Sequence, residues 1–152
     1  MLNLIQNIII KEELGAIYTP EKTTFRIWSP TAENVSLNLF QEGTGDNLIK
    51  TASMSKRNDG LWSTEINENL SGVYYTYSIT INGTTNEVVD IYAKAVGING
   101  NRGMIVNLKE TDPQHFRGTP RPAFDNITDA VIYEVHVRDF SIDKSSGIKI
   151  RS

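Results

Sequence analysis

The chain has 152 residues, of which 39% are hydrophobic and 22% charged, an ordinary composition for a globular protein. A complete (β/α)8 barrel needs about 250 residues, so a whole barrel enzyme does not fit in this length. The net charge of −3 comes without a basic run, which argues against nucleic-acid binding through a phosphate-tracking patch.

Metal and cofactor chemistry has few candidate residues in this sequence. The absence of cysteine excludes disulfides, thiolate metal sites and cysteine nucleophiles. Only His115 and His136 could supply imidazole ligands, and a zinc site usually needs more nitrogen or sulfur than that. We therefore expect no metal site and no cofactor.

The chain begins with an apolar stretch at residues 2–10, which then runs into Lys11, Glu12 and Glu13. A signal peptide needs a basic start and a small-residue cleavage site, and a membrane helix needs about 20 apolar residues. Because neither pattern is present, we expect residues 1–13 to form a peripheral strand or a short amphipathic segment. The same reasoning predicts a cytoplasmic protein with no membrane partner.

From Thr23 to Leu108 the sequence predicts one strand after another. Segments of alternating apolar and polar residues are 23–28, 35–39, 62–66 and 73–81. Because side chains alternate along a strand, each predicted strand has one buried face and one wet face, as in an antiparallel sheet. Asn82-Gly83 favours a type I′ turn, which would fold the last strand back onto residues 86–91. Short strands at this spacing predict an all-β, antiparallel sandwich.

After Leu108 the composition changes. Residues 111–128 contain prolines and show no periodicity, which indicates a linker between two folding units. Residues 129–137 then form a nearly continuous apolar run, which predicts a strand buried on both faces, as in a parallel α/β sheet. We therefore expect a second domain to begin near residue 129.

A resemblance to a known family is carried by several segments together. They are 14–20 (LGAIYTP), 24–32 (TFRIWSPTA), 59–62 (DGLW), 72–77 (GVYYTY), 90–97 (DIYAKAVG), 99–104 (NGNRGM) and 133–141 (YEVHVRDFS). In combination they resemble type I pullulanases, which are glycogen-debranching enzymes of glycoside hydrolase family 13. Residues 14–110 look like the accessory module of that family, an immunoglobulin-like β-sandwich of carbohydrate-binding family 48. Residues 129–152 look like the truncated start of its catalytic (β/α)8 barrel, including the first strand.

The resemblance implies a parent enzyme that hydrolyses α-1,6-glucosidic bonds in pullulan, glycogen or limit dextrins with retention. Retaining chemistry uses two carboxyl groups roughly 5–5.5 Å apart, which in the family stand on later barrel strands that nothing in this sequence matches. Glu134 and Asp139 are no substitute, because an odd separation along a strand makes them face opposite ways. We expect no catalytic residues, and the implied partners are α-glucan and the missing barrel of the same polypeptide.

The resemblance also suggests where contacts would lie. Sugar-binding members of the module stack aromatic rings in two loops, which here correspond to residues 41–46 and 83–87 and contain no aromatic residue. At most weak glucan contact is therefore expected, with Tyr74 and Trp62 as candidates, although Trp62 lies within a strand where core packing is the commoner role. Asp90, Tyr92 and Arg102 correspond to the family's domain interface or to loop-locking positions.

Two other functions stay open on the sequence. The chain could be a free-standing α-glucan-binding β-sandwich protein without enzymatic activity. It could also be a β-sandwich adaptor for a protein partner, although nothing in the sequence names such a partner.

Overall fold

The computed structural model describes residues 10–118, 120, 123 and 125–149. It divides into a first unit that ends at Asp112 and a second unit that begins at Pro113. Most of the N-terminal segment predicted over residues 1–13 lies outside the described residues. No helix in the described part of the chain is long and apolar enough to cross a membrane.

The described part of the first unit consists of antiparallel strands in two sheets. The small sheet contains β1 (Gly15–Tyr18), β2 (Thr23–Trp28), β5 (Ser55–Lys56) and β6 (Leu61–Ile66), in the order β1-β2-β6-β5. The large sheet contains β3 (Asn34–Phe40), β4 (Leu48–Ser53), β7 (Tyr74–Ile81), β8 (Thr84–Val88), β9 (Ala95–Val96) and β10 (Gly103–Met104). Its order is β4-β3-β7-β10-β9, and β8 also pairs with β7.

Strand β7 lies at the centre of the large sheet. All of β3 pairs with one edge of β7, and the shorter strands β8 and β10 share the other edge of β7. On that shared edge Gly103 of β10 lies opposite Tyr75, and Val88 of β8 lies opposite Tyr77. The Asn82-Gly83 turn between β7 and β8 has φ angles of 50° and 72°, as a type I′ turn requires. The hairpin prediction is therefore confirmed, although β8 ends at Val88 and does not extend to residue 91.

The two sheets pack face to face on one apolar core. Phe25 of the small sheet meets Tyr75 of the large sheet edge to face, with ring centroids 5.3 Å apart, and Tyr75 meets Tyr77 at 5.8 Å. Other buried members of this core are Val35, Leu37, Leu39, Met54, Trp62, Ile66, Leu70 and Ile105. The odd positions of β3 and of the first half of β7 supply much of it, so the predicted alternation sets which face is buried.

The strand predicted over residues 129–137 is wrong for this structure. Residues 130–136 have no regular secondary structure and lead into a short helix, α1 (Val137–Ser141). Ile132 is 90% exposed and Tyr133 is 84% exposed. A strand exists only where a neighbour completes its hydrogen-bond ladder, and no strand in the described part of the chain pairs with these residues.

Candidate functional site

An apolar groove runs beside the segment that follows β8. Its volume is about 640 Å³, and one wall is residues 88–92. Trp28 and Ile27 lie along it, and the chain from Ile10 to Leu14 supplies further lining. Within the 88–92 wall, Ile91 is 88% exposed and Tyr92 is 48% exposed. We call this feature the apolar groove.

Asp90 anchors the wall of the apolar groove to the core. Its side chain is buried, and Oδ2 accepts hydrogen bonds from the hydroxyl groups of Tyr75 (2.8 Å) and Tyr77 (3.4 Å). Its Oδ1 accepts one from the backbone N–H of Tyr92 (2.8 Å). Because Asp90 points inward and is held by three donors, its neighbours Ile91 and Tyr92 are left on the outer surface.

The same cluster changes the acidity of the two tyrosines. Burial raises the pKa of Tyr75 above its usual value, and the nearby Asp90 carboxylate raises it further. Burial likewise raises the pKa of Tyr77 well above its usual value, again with a contribution from Asp90. Both hydroxyl groups therefore stay protonated, and remain hydrogen-bond donors to Asp90, at a pH above 10 where an ordinary tyrosine ionises.

The N-terminal side of the apolar groove is held by close backbone contact and by ion pairs. Gly15 has a φ of +92°, and a Cβ there would lie 2.9 Å from the Cβ of Tyr92, so glycine is required for this approach. Glu12 pairs with Arg57, and Glu13 pairs with Lys94 at 2.9 Å. These contacts fix residues 12–15 beside the 88–92 wall.

A second, more polar groove lies on the outer face of the large sheet. Its volume is about 450 Å³, and it is lined by Asn38, Phe40, Asp46, Leu48 and Glu87. The Asn38 amide donates to Ser78 (2.8 Å) and accepts from Thr51 (2.9 Å). We call this feature the polar groove.

A network of hydrogen bonds explains a buried threonine at the polar groove. Thr76 lies on the face of β7 that was predicted to be wet, yet it is only 2% exposed. Its hydroxyl donates to Glu87 (2.6 Å) and is 3.4 Å from the Asn38 amide. One carboxylate oxygen of Glu87 is thereby engaged with the sheet, while the residue remains exposed.

Arg102 ties the hairpin of β9 and β10 to the loop that follows β3. Its guanidinium donates to the backbone oxygens of Glu42 (2.7 Å) and Gly45 (2.6 Å) and to Oδ1 of Asn47 (2.9 Å). The same group lies 3.6 Å from the ring centroid of Phe40, a cation–π contact. All of these contacts lie within the first unit, so the structure places Arg102 as a lock between two loops.

Tyr74 is half-buried between the same two loops. A Cβ on Gly43 would lie 3.0 Å from the Tyr74 ring, and one on Gly97 would lie 3.2 Å from it. A Cβ on Gly97 would also lie only 2.8 Å from the Cα of Gly43, so the two loops approach too closely for a side chain at position 97. Part of the Tyr74 ring is therefore used in packing.

Trp62 occupies a core position. It is only 4% exposed, and its indole N–H donates to the backbone oxygen of Ser29 at 2.9 Å. The ammonium group of Lys56 lies 5.3 Å from the centroid of its ring. This burial fits a packing role and leaves no ring face on which a sugar could stack.

Sequence reasoning missed the polar groove. Asn38, Asp46 and Glu87 come from three separate segments, and none of them is unusual for a strand or a loop. The one available signal was the polar run on the wet face of β7 opposite an asparagine in β3. Across the described residues, no group of three or more His, Asp or Glu side chains is placed to hold a metal ion.

Comparison with known proteins identifies the family of this sandwich. Residues 13–93 match the family model described as carbohydrate-binding module 48, the isoamylase N-terminal domain. The chain belongs to the carbohydrate-binding module 48 family. It resembles pullulanase from Bacillus subtilis (strain 168), with 36% identity over 137 residues, and chloroplastic pullulanase 1 from Arabidopsis thaliana, with 32% identity over 138 residues.

Solved structures agree with this assignment. Pullulanase from Bacillus acidopullulyticus matches with a TM-score of 0.83 and 44% identity over 96% of this chain and 18% of that protein. Pullulanase from Paenibacillus barengoltzii in complex with maltohexaose and α-cyclodextrin matches with a TM-score of 0.80 and 39% identity over 90% of this chain and 21% of that protein.

The chain spans only a small part of these relatives. The alignment with the B. subtilis pullulanase covers 90% of this chain and 18% of that protein. The alignment with the A. thaliana protein covers 84% of this chain and 14% of that protein. The family 48 sandwich corresponds to the N-terminal, non-catalytic region of pullulanases. The chain therefore contains a family 48 module at residues 13–93 and matches part of much longer proteins.

Proposed function

We propose that this family 48 chain is the N-terminal, non-catalytic module of a pullulanase-like enzyme. The enzyme would hydrolyse α-1,6-glucosidic bonds in pullulan, glycogen or limit dextrins, in the cytoplasm. The module would support the catalytic barrel of the same polypeptide and would contact α-glucan weakly. The observation that carries the proposal is the exposed apolar wall at residues 88–92, which the buried Asp90 holds in place.

The apolar groove has the properties of a docking surface. A side chain such as Ile91, 88% exposed, gains about 1.5–3 kcal/mol when a partner buries it fully. Exposed apolar patches that continue into a groove mark interaction sites. Because Asp90 and Gly15 fix the backbone behind Ile91 and Tyr92, little ordering cost is left for the binding step. Asp90 and Tyr92 therefore act in the proposed interface, Asp90 from beneath and Tyr92 at the surface.

Residues 129–152 would provide the start of the barrel in the longer enzyme, with residues 111–128 as the linker. The match to the B. acidopullulyticus pullulanase extends over 96% of the chain, which takes in residues beyond the immunoglobulin-like sandwich. The apolar run at 131–137 would become the first barrel strand once neighbouring strands complete its hydrogen-bond ladder. The match to the longer pullulanase and the apolar pattern of residues 131–137 both support a barrel strand at this position.

Glucan contact is assigned to the polar groove. Asp46 and Glu87 are exposed carboxylates at its edge, and carboxylates accept hydrogen bonds from donor groups such as sugar hydroxyls. Trp62 is buried and part of the Tyr74 ring is packed against glycines, so stacking on a broad aromatic platform contributes little. Contact through hydrogen bonds alone, in competition with water, predicts weak affinity.

Binding in trans tests the docking proposal. The partner is B. subtilis pullulanase from which only the segment matching residues 13–93 has been deleted, so that its barrel stays whole, and the measurement is titration calorimetry with the 152-residue chain. We expect saturable binding that Ile91→Glu weakens at least tenfold. Ile49→Glu is the matched control, because Ile49 is a half-exposed isoleucine of β4 away from the apolar groove. Absence of binding by the unsubstituted chain, or equal weakening by both variants, would refute the docking proposal.

A free-standing α-glucan-binding protein is the second candidate, and the polar groove is the observation that favours it. Affinity electrophoresis of the chain in pullulan or glycogen gels separates the two candidates. Slight retardation together with binding to the truncated pullulanase supports the module. Strong retardation without such binding supports the free-standing protein, and release of maltotriose from pullulan by the chain alone would contradict both.

A further inference from the structure

We infer that Arg102 is a positioning residue for the polar groove, where it holds the Asp46 carboxylate in place for α-glucan. The inference deepens the glucan contact proposed above and rests on it. Two of the guanidinium hydrogen bonds end on the residues that flank Asp46 in sequence, the backbone oxygen of Gly45 (2.6 Å) and Oδ1 of Asn47 (2.9 Å). The peptide segment that carries Asp46 is therefore fixed on both sides.

The loop after β3 also contains hydrogen bonds of its own, so the bonds from Arg102 act on an ordered segment. Asn47 donates from Nδ2 to the backbone oxygen of Thr44 (2.6 Å), and its backbone oxygen accepts from the N–H of Gln41 (3.0 Å). These bonds close the loop on itself. Arg102 joins this loop to the hairpin of β9 and β10.

The backbone of Arg102 is also fixed by a hydrogen bond. The backbone oxygen of Arg102 accepts from the N–H of Gly97 (2.9 Å) across the loop between β9 and β10. The planar group also lies over the ring of Phe40, a residue that lines the polar groove. Arg102 thus links the floor of the polar groove to the loop at its rim.

Arginine is suited to this role and lysine is not. The guanidinium directs several N–H groups in a fixed plane, whereas an ammonium is a compact point charge on a flexible stem. A lysine ammonium has three donors on a single nitrogen, so at position 102 it cannot reproduce the arrangement in which two separate guanidinium nitrogens donate to Asn47 and to Gly45. Asp46 then samples more positions, and ligand binding has to order it.

The experiment is a double-mutant cycle on the whole chain with maltoheptaose as the probe. Affinity is measured by amide chemical-shift titration for the unsubstituted chain, Arg102→Lys, Asp46→Asn and the double variant. We expect each single substitution to weaken binding about fivefold and the double variant to be no weaker than the weaker single one, because both remove the same contact. The matched control is Arg26→Lys, an arginine in the small sheet that bonds to the backbone of Glu13, with unchanged affinity expected.

The outcomes separate this inference from the proposal beneath it. Multiplicative losses in the double variant, about 25-fold, would mean that Arg102 acts independently of Asp46, and they would overturn the inference while glucan contact stands. No titration by the unsubstituted chain would overturn glucan contact and, with it, this role for Arg102. Amide exchange that stays equally slow over residues 42–47 in Arg102→Lys would also overturn the positioning role.

Discussion

Raising the pH above 10 is expected to destabilise the sandwich through the two buried tyrosines that bond to Asp90. Burial and the Asp90 carboxylate raise the pKa of both Tyr75 and Tyr77 in the folded chain. In the unfolded chain a tyrosine has a pKa near 10, so above that pH the unfolded state releases protons that the folded state keeps. The stabilisation is therefore complete below pH 10 and is lost as the pH rises toward the folded-state values.

The size of this effect follows from proton linkage. Between pH 9 and pH 11 each tyrosine that stays protonated in the fold lowers the free energy of unfolding by about 1.4 kcal/mol, and the two together by about 2.7 kcal/mol. Urea unfolding followed by tryptophan fluorescence at several pH values measures this loss. Tyr77→Phe removes only a 3.4 Å hydrogen bond, and we expect it to lose about 1.4 kcal/mol less than the unsubstituted chain over that range.

The refuting result is equally specific. If the unsubstituted chain and Tyr77→Phe lose the same free energy of unfolding between pH 9 and pH 11, the buried hydroxyl groups do not control alkaline stability. Tyr75→Phe is the second test, because it removes the shorter bond to Asp90, 2.8 Å. At pH 8 the free energy of unfolding of Tyr75→Phe should be lower than that of Tyr77→Phe. Between pH 9 and pH 11 the two variants should lose the same free energy of unfolding.

Gly60 and Gly72 both have a left-handed backbone, with φ angles of +83° and +82°. A Cβ on Gly60 would lie 2.7 Å from Pro30, whereas a Cβ on Gly72 would meet nothing within 4 Å. We expect Gly60→Ala to lose about 1–3 kcal/mol more than Gly72→Ala in thermal unfolding, and equal losses would show that backbone strain alone sets the cost. The hydrogen bond from Arg57 holds the pKa of Glu12 below its usual value, so this stabilisation is present above about pH 4.3 and is lost as the pH falls. In Glu12→Gln the midpoint of thermal unfolding should fall less between pH 5 and pH 3 than in the unsubstituted chain. An equal fall in both proteins would contradict a stabilising Glu12–Arg57 pair.

The strands were predictable where their periodicity is long. The alternation around Tyr75 and Tyr77 is local information, and so is the turn at Asn82-Gly83, because each depends on a few consecutive side chains. β9 and β10 have only two residues each, which is too short for any periodic signal. The strand expected over 129–137 failed for the opposite reason, since its apolar pattern is clear but its pairing depends on other strands.

The candidate sites were predictable only in part. Asp90, Tyr92 and Arg102 came from family resemblance, and the sequence could not tell which of them faces inward. That distinction depends on contacts between distant residues, such as Arg102 with Gly45 across 57 positions. The polar groove depends on similar long-range pairs, and a single sequence carries no direct record of them.

The sharing of one edge of β7 by β8 and β10 has a consequence for how this scaffold can diversify. The chain between them, residues 89–102, begins at the end of β8 and returns to the same edge of β7 at β10, and much of the register of these two neighbours is set by contacts outside it. The turn at Asn82-Gly83 fixes β8, and the reciprocal bonds between Ile105 and the Gly72–Val73 pair help fix β10. Residues 89–102 can therefore vary in sequence and length at their exposed positions, such as Ile91, as long as Asp90 keeps its bonds to Tyr75 and Tyr77 and β9 keeps its pairing with β10.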